Sequence, residues 1–359
     1  MGNSSLEQYA AVLVEQCLDV QPGKQVLVHA QPLARPLVEA VVSNIARRGA
    51  YAIVRVTFEL MIVSSAWIRD APEELLRQAP SLEVGMIESL DYLMHIHAPE
   101  NTREGSDVPP ERLNLLRQAY RPLYEKFFTD NAPWVGCQYP TPAFAQDAGM
   151  TLQAFEDFLY GAVLIDWEAA RASMQRVADR FNAGAEVRVV GEDTDIRFSL
   201  EGRPAMVDAA GANMPGGEIF FSPVEDSIEG LVTFSEYPAC YLGHQVPGVR
   251  LRFEGGTIVD ASAAGDEQFL LATLDTDEGA RRLGEFGIGC NPGIQQHMRN
   301  TLFDEKIEGT VHFAVGNGFP FIGGQNHSAV HWDMVKNLRR GGRIELDGEV
   351  VQENGQWSL

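Results

Sequence analysis

The hydrophobic rhythm of this chain changes at Asn182-Ala-Gly184, and that change excludes one uniform architecture. Before it, helical stripes alternate with short apolar runs. Leu6, Ala10, Leu13, Val14 and Cys17 fall on one helical face, and Gln21-Pro-Gly-Lys24 ends that pattern. Gln25-Val-Leu-Val-His29 then reads as an apolar strand. A second helical pattern over 33–48 stops at Gly49 and leads into the strand Tyr51–Thr57. Asp91–His97 and Trp134–Cys137 read as further strands. Such alternation predicts βαβ units around a parallel sheet. Three helical patterns follow, over 110–126, 151–164 and 167–181, with Thr151 placed to cap the second.

Past Gly184 the period is two. Glu186–Val190, Asp195–Leu200, Gly230–Phe234, Val249–Phe253 and Gly256–Asp260 alternate apolar and polar residues, as half-exposed strands do. Gly265–Leu274 and Thr276–Leu283 read as helices, and Thr310–Val315 as a strand. Arg343–Val351 reads as a hairpin turning at Asp347-Gly348. We therefore expect an α/β N-terminal domain with a mainly parallel sheet over 1–182. A β-rich α+β domain over 183–359 follows, its sheet curved and antiparallel or mixed. The length of 359 residues, too great for one typical core, agrees.

The formal net charge of −22 argues against nucleic acid and against an anionic membrane surface as partners. An acidic balance is a common solubility device, and it also draws cationic substrates and metal ions. Cys17, Cys137, Cys240 and Cys290 are widely spaced, with no Cys-x-x-Cys pair. They read as reduced thiols of a cytoplasmic protein. The N-terminus lacks a secretory layout, no apolar run reaches a membrane span, and Leu6 stands where a myristoylation motif needs Ser or Thr.

Candidate chemistry concentrates in the second half. His331-Trp-Asp333 on an extended segment points both polar side chains to one face. His312 stands inside a strand pattern closed by Gly309 and Gly316. Glu218 follows Pro215-Gly-Gly, and Glu285 lies in Leu283-Gly-Glu-Phe-Gly-Ile-Gly289. Carboxylates among apolar neighbours are costly to bury unless a cation or hydrogen bonds compensate. Two imidazoles and three carboxylates suit a pair of divalent cations such as Zn, Co or Mn. A lone His-x-Asp or a lone strand histidine is more often structural; the glycine-rich setting of each raises its weight. Glu225-Asp226 and Asp304-Glu-Lys306 read as loop residues near the site or as simply solvated ones. His327 stays out because its spacing to His331 is helical and the local pattern is extended. His95 and His97 share a strand face with no evident carboxylate partner and read as structural. No Gly-x-Ser-x-Gly elbow or phosphate-binding loop is present.

The segments Leu6-Glu-Gln-Tyr-Ala10, Val20-Gln-Pro-Gly-Lys-Gln-Val-Leu27, Gly217-Glu-Ile-Phe-Phe-Ser-Pro-Val-Glu-Asp-Ser227, Thr276–Glu285, Leu302–Thr310 and Gly323–Asp333 occur in this order. Together they resemble the M29 metalloaminopeptidases of the aminopeptidase T and S type, over nearly the whole chain. The resemblance implies metal ligation by Glu218, Glu285, His312, His331 and Asp333, a homodimer, and an enclosed cavity. One position departs. The family carries a tyrosine seven residues after the first histidine, where this chain has Phe319. Phenylalanine neither ligates a metal nor donates a hydrogen bond. If that hydroxyl steadies the oxyanion, its loss costs on the order of 10²–10³-fold in rate.

The reading that follows is a metal-dependent aminopeptidase holding two divalent ions per chain and acting on peptides with a free N-terminus. Glu218, Glu285 or Glu225 would serve as catalytic carboxylate. A mononuclear Fe(II) ring-cleaving dioxygenase is similar in fold and would use His312, His331 and Asp333 alone. Both retained glutamates argue against it. A metal-binding homologue whose catalysis has lapsed is the third reading.

Overall fold

The computed structural model describes residues 2–59, 63–121, 125–129 and 132–358. The chain divides into two compact units, 1–164 with 210–215, and 165–209 with 216–359.

In the first unit five strands pair in parallel in the order Tyr51–Val56, Gln25–Ala30, Tyr92–His97, Trp134–Gln138 and Asn213–Met214. The four longer ones are the apolar runs of the sequence. Leu27 and Leu93 supply one face to a core with Ile68, Leu76, Ile87 and Leu116. The helix Arg35–Arg47 buries Leu37, Val38, Val41 and Ile45, and the chain turns out of it at Gly49, whose φ of +74° suits glycine. The helix Leu152–Val163 starts at Thr151, whose hydroxyl accepts from the Ala154 N–H. Of the helical pattern over 110–126, Pro110–Ala119 is a helix, and 122–124 lie outside the described residues.

The helix Trp167–Asn182 belongs to the second unit, so the expected division at 182 falls one helix too late. The reason is packing. Met174, Val177, Ala178 and Phe181 form its buried stripe, and the Phe181 ring lies 5.4 Å from Phe221 and 6.2 Å from Trp357. This unit holds two large antiparallel sheets, and the five period-two segments all fall in the larger. One has eight strands, running from Thr257–Ser262 through Glu186–Gly191 to Gln356–Trp357. The other has five, ordered His331–Asn337, Thr310–Gly316, Leu283–Gly289, Glu218–Phe221 and Met206–Asp208. Their apolar faces meet through Phe198, whose ring is 4.8 Å from Phe286 and 6.2 Å from Phe313. The hairpin turns where its sequence said, with Asp347 and Gly348 both at positive φ.

One expected helix is absent. Thr276–Leu283 yields only the single 3₁₀ turn Glu278–Arg281, opened by the Asp277 carboxylate accepting from the Ala280 N–H. Leu283 then enters the middle strand of the five-stranded sheet, where cross-strand pairing on both sides outweighs the helical spacing. Among the described residues no helix is long and apolar enough to cross a membrane.

Candidate metal centre

Strand alternation builds this site. Ile219, Phe221, Phe286, Ile288, Val311, Phe313, Trp332 and Met334 are buried apolar side chains of the five-stranded sheet. The residues between them carry the donors. Glu218 pairs across with Gly289, Glu285 with Ala314, Ala314 with Asp333, and Gly316 with His331. The register thus brings donors from four strands, far apart in sequence, onto one face.

Gly287 makes that face usable. It lies opposite His312, and a methyl group there would overlap the imidazole ring. Glycine lets the ring lie across the neighbouring strand and reach the carboxylates.

His312 Nε2 lies 3.3 Å from Glu285 Oε1 and 3.6 Å from Glu218 Oε2. His331 Nε2 lies 3.1 Å from Glu285 Oε2 and 3.6 Å from Asp333 Oδ2. Each ring donates its other N–H to a backbone carbonyl, His312 to Glu305 at 3.0 Å and His331 to Asn317 at 2.9 Å. That arrangement fixes the tautomer and aims Nε2 at the cluster, as in metal-ligating histidines. The donors fall into two groups, Glu218–Glu285–His312 and Glu285–His331–Asp333, each with ligand atoms within 4.8 Å of one another. Glu285 belongs to both.

Charge is held here under tension. Burial pushes the carboxyls of Glu218 and Asp333 up. Burial acts on Glu285 in the same sense, but hydrogen bonds from His312 and His331 outweigh it and hold its carboxyl low. Burial would lower both histidines, yet the surrounding carboxylates raise His312 to about 9 and His331 to about 10. Among the described residues, Glu218 Oε2 and Asp333 Oδ1 are buried with no hydrogen-bond partner. Orphaned carboxylate oxygens beside imidazole Nε2 atoms fit divalent cations, and the mixed N/O donor set suits Zn, Co or Mn.

A matched model for thermophilic metalloprotease (M29) spans residues 3–357. The chain belongs to the M29 family. It is therefore a hydrolase of the metallopeptidase class. Among curated M29 relatives, aminopeptidase 2 of Geobacillus stearothermophilus is 30% identical over 99% of this chain and 98% of its own length. Aminopeptidase T of Thermus thermophilus is 28% identical over 98% and 95%. The solved structure of wild-type AmpT from Thermus thermophilus superposes with a TM-score of 0.85 at 24% identity, covering all of both chains. A 2,5-dihydroxypyridine dioxygenase from Pseudomonas putida reaches a TM-score of 0.63 at 16% identity over 100% of this chain and 98% of its own, a likeness of fold.

The fold of this M29 member gathers Glu218, Glu285, His312, His331 and Asp333 in one place. It does not leave Glu225 free to join them. The Glu225 carboxylate takes a 2.6 Å ion pair from Arg203 and a 2.6 Å hydrogen bond from the Gln325 N–H. Burial works to raise that carboxyl, but these partners hold it below its usual range. Arg203 also bonds the Gly323 carbonyl, so the pair clamps the 323–325 loop. His327 is exposed on that loop, apart from both donor groups.

Asp304, Glu305 and Lys306 are the residues that sequence reasoning undervalued. Lys306 is fully buried, with its Nζ 3.1 Å from Glu218 Oε1 and paired also to Glu305. Burial would lower this ammonium, but Glu218, Glu305 and Asp208 raise it. A charged triplet normally reads as solvated. The available signal was its frame, Leu302-Phe303 before it and Ile307 after it. Phe319 lies beside the site, its ring 5.4 Å from that of His331.

Proposed function

We propose that this protein is a co-catalytic metalloaminopeptidase that releases N-terminal amino acids from peptides with a free amine. The observation that carries this reading is the membership of Glu285 in both donor groups. Divalent cations held by these two donor groups would supply an activated water near neutral pH and would polarise the scissile carbonyl. Glu218 and His312 would complete one cation's ligands, and His331 and Asp333 the other's.

The chain's own groups then divide the work. Glu218 Oε2, without a hydrogen-bond partner among the described residues, would be the oxygen this carboxylate offers to a cation. Lys306 holds the other oxygen of Glu218, so the carboxylate cannot swing away. Glu225, anchored by Arg203, has no part in proton transfer. The carboxylate-rich face favours the α-ammonium of the substrate. Phe319 offers no hydroxyl to the developing oxyanion, so turnover on the order of 10²–10³-fold below a tyrosine-bearing site is expected. The names of the curated relatives support aminopeptidase action. A homodimer and a cytoplasmic location belong to the same proposal, the former testable by light scattering.

The decisive experiment strips the protein with chelator, reloads it with Co²⁺ or Zn²⁺, and follows aminoacyl-p-nitroanilides. Metal-dependent release from free-amine substrates, absent with N-blocked ones, is the expected result. Equal release from blocked substrates would refute exopeptidase action.

A further inference from the structure

The metal face carries an apolar feature that metal ligation does not use. Phe220 stands two residues beyond Glu218, on the same side of its strand. Opposite it across the sheet is Gly287, so no side chain of that neighbour covers the ring. Phe319 packs against it at 5.2 Å, against Phe321 at 5.4 Å and against His331 at 5.4 Å. Phe220 and Phe321 lie 6.5 Å apart. Three rings in mutual contact therefore form one wall that begins at a candidate metal ligand.

The wall is not part of the core. The core lies on the opposite face of this sheet, around Phe286 and Phe313. Phe321 is 57% exposed, whereas the core phenylalanines are buried. Phe220 and Phe319 are half-buried and Phe321 is exposed, so apolar surface beside the candidate ligands is left open to contact.

The wall is also held rigid. Ser222 Oγ accepts from the Phe319 N–H at 2.9 Å and donates to the Gly284 carbonyl at 2.9 Å, fastening the loop to the strand that carries Glu285. On the other side the Arg203–Glu225 pair grips Gly323 and Gln325. This gives Glu225 a role: it pre-organises the loop that presents Phe321. A fixed apolar wall binds with less loss of side-chain freedom than a mobile one.

We propose that Phe220, Phe319 and Phe321 form the subsite for the side chain of the substrate's N-terminal residue, selecting aromatic and large aliphatic residues. This rests on the aminopeptidase reading. With amine and carbonyl engaged by the carboxylate and metal groups, the side chain of that residue is the first substrate group to leave the centre. The wall starts one ring away from His331. It presents no charge, so a basic N-terminal residue drawn by the acidic field finds no partner on it.

The test uses binding, which needs no turnover. Calorimetry on the Zn²⁺-loaded full chain compares L-phenylalanine hydroxamate with L-alanine hydroxamate, which differ only in that side chain. The phenylalanine compound should bind about 10-fold or more tightly. Phe321→Ala and Phe220→Ala should bring the ratio toward one, and Phe321→Leu should retain most of it, with metal content unchanged in all three. Equal affinities in the parent protein, or a ratio untouched by both alanine variants, would overturn the subsite alone. Failure of both hydroxamates to bind the loaded protein would overturn the metal reading and the subsite with it.

Discussion

His95 on the parallel sheet and His312 on the antiparallel sheet stand in similar places, inside a strand with another histidine close by. His29 Nδ1 lies 2.9 Å from His95 Nδ1, and His97 has its ring 6.4 Å from that of His95. Burial lowers all three, His29 and His97 to about 3 and His95 to about 4. Their protons can be assigned with every ring neutral. The Thr57 hydroxyl donates to the Glu59 carbonyl at 2.7 Å, so it accepts from His29 Nε2–H at 2.7 Å. His29 Nδ1 must then accept from His95 Nδ1–H. No carboxylate is among these contacts. His312 and His331 are driven the other way, because Glu285, Glu218 and Asp333 outweigh the same burial. Strand position and burial are common to both clusters. What distinguishes the metal site is negative charge stored beside the rings.

Removing that charge should erase the distinction, and this is the largest effect expected. Glu285→Ala deletes the one carboxylate that faces both imidazoles. Metal content should fall from the proposed two ions per chain to none or one, and kcat/KM by roughly 10³-fold or more. His312 and His331 should also titrate nearer the ordinary value in the metal-free variant, as followed by NMR. The core face carries no part of this carboxylate, so the fold should persist. Unchanged metal stoichiometry in a folded variant would remove Glu285 from the site.

A geometric change should break the site while leaving its charge in place. Gly287→Ala puts a methyl group where the His312 ring lies, with no room for both. The ring must turn out of line with Glu285 and Glu218. We expect about 10²-fold weaker metal binding, the scale of a disturbed ligand orientation. Isothermal titration with Zn²⁺ checks this; parent-like affinity would show that the strand yields instead of the ring.

The two regions also differ in how far the sequence disclosed them. The strands of the parallel sheet are continuous apolar runs, so Gln25–Ala30 and Tyr51–Val56 could be read directly. His95 and His97 read as structural, and burial lowers the pKa of both rings. At the metal centre the His331–Asp333 pair was legible from period two, and the M29 resemblance pointed to all five donors. Three things were not legible. Gly287 gave no sign that it faces His312, because register is a long-range property. Lys306 looked solvated, since nothing local says that Glu218 will lie 3.1 Å from it. The Thr276–Leu283 segment has helical spacing, and only the neighbours on either side of Leu283–Gly289 make the latter a central strand.

The smallest effect, and the sharpest contrast, lies in stability against pH for the metal-free protein. His29, His95 and His97 have folded pKa values below the unfolded value of about 6.5. Their contribution is complete above that pH and is lost as pH falls toward 3–4, because the unfolded chain binds protons that the folded one refuses. His312 and His331 have raised values, so the sign reverses. Their contribution is complete below about 6.5 and is lost as pH rises through about 9 and about 10. Each limb should amount to a few kcal/mol at most. Divalent metal requires both of the latter rings neutral, so loading should release protons and flatten the alkaline limb. Thermal melts from about pH 3 to 11 with chelator, and with Zn²⁺ over the alkaline half, measure both limbs. An alkaline limb of the same depth with and without metal would mean that the carboxylates do not hold charge on His312 and His331, and the contrast between the two clusters would reduce to burial alone.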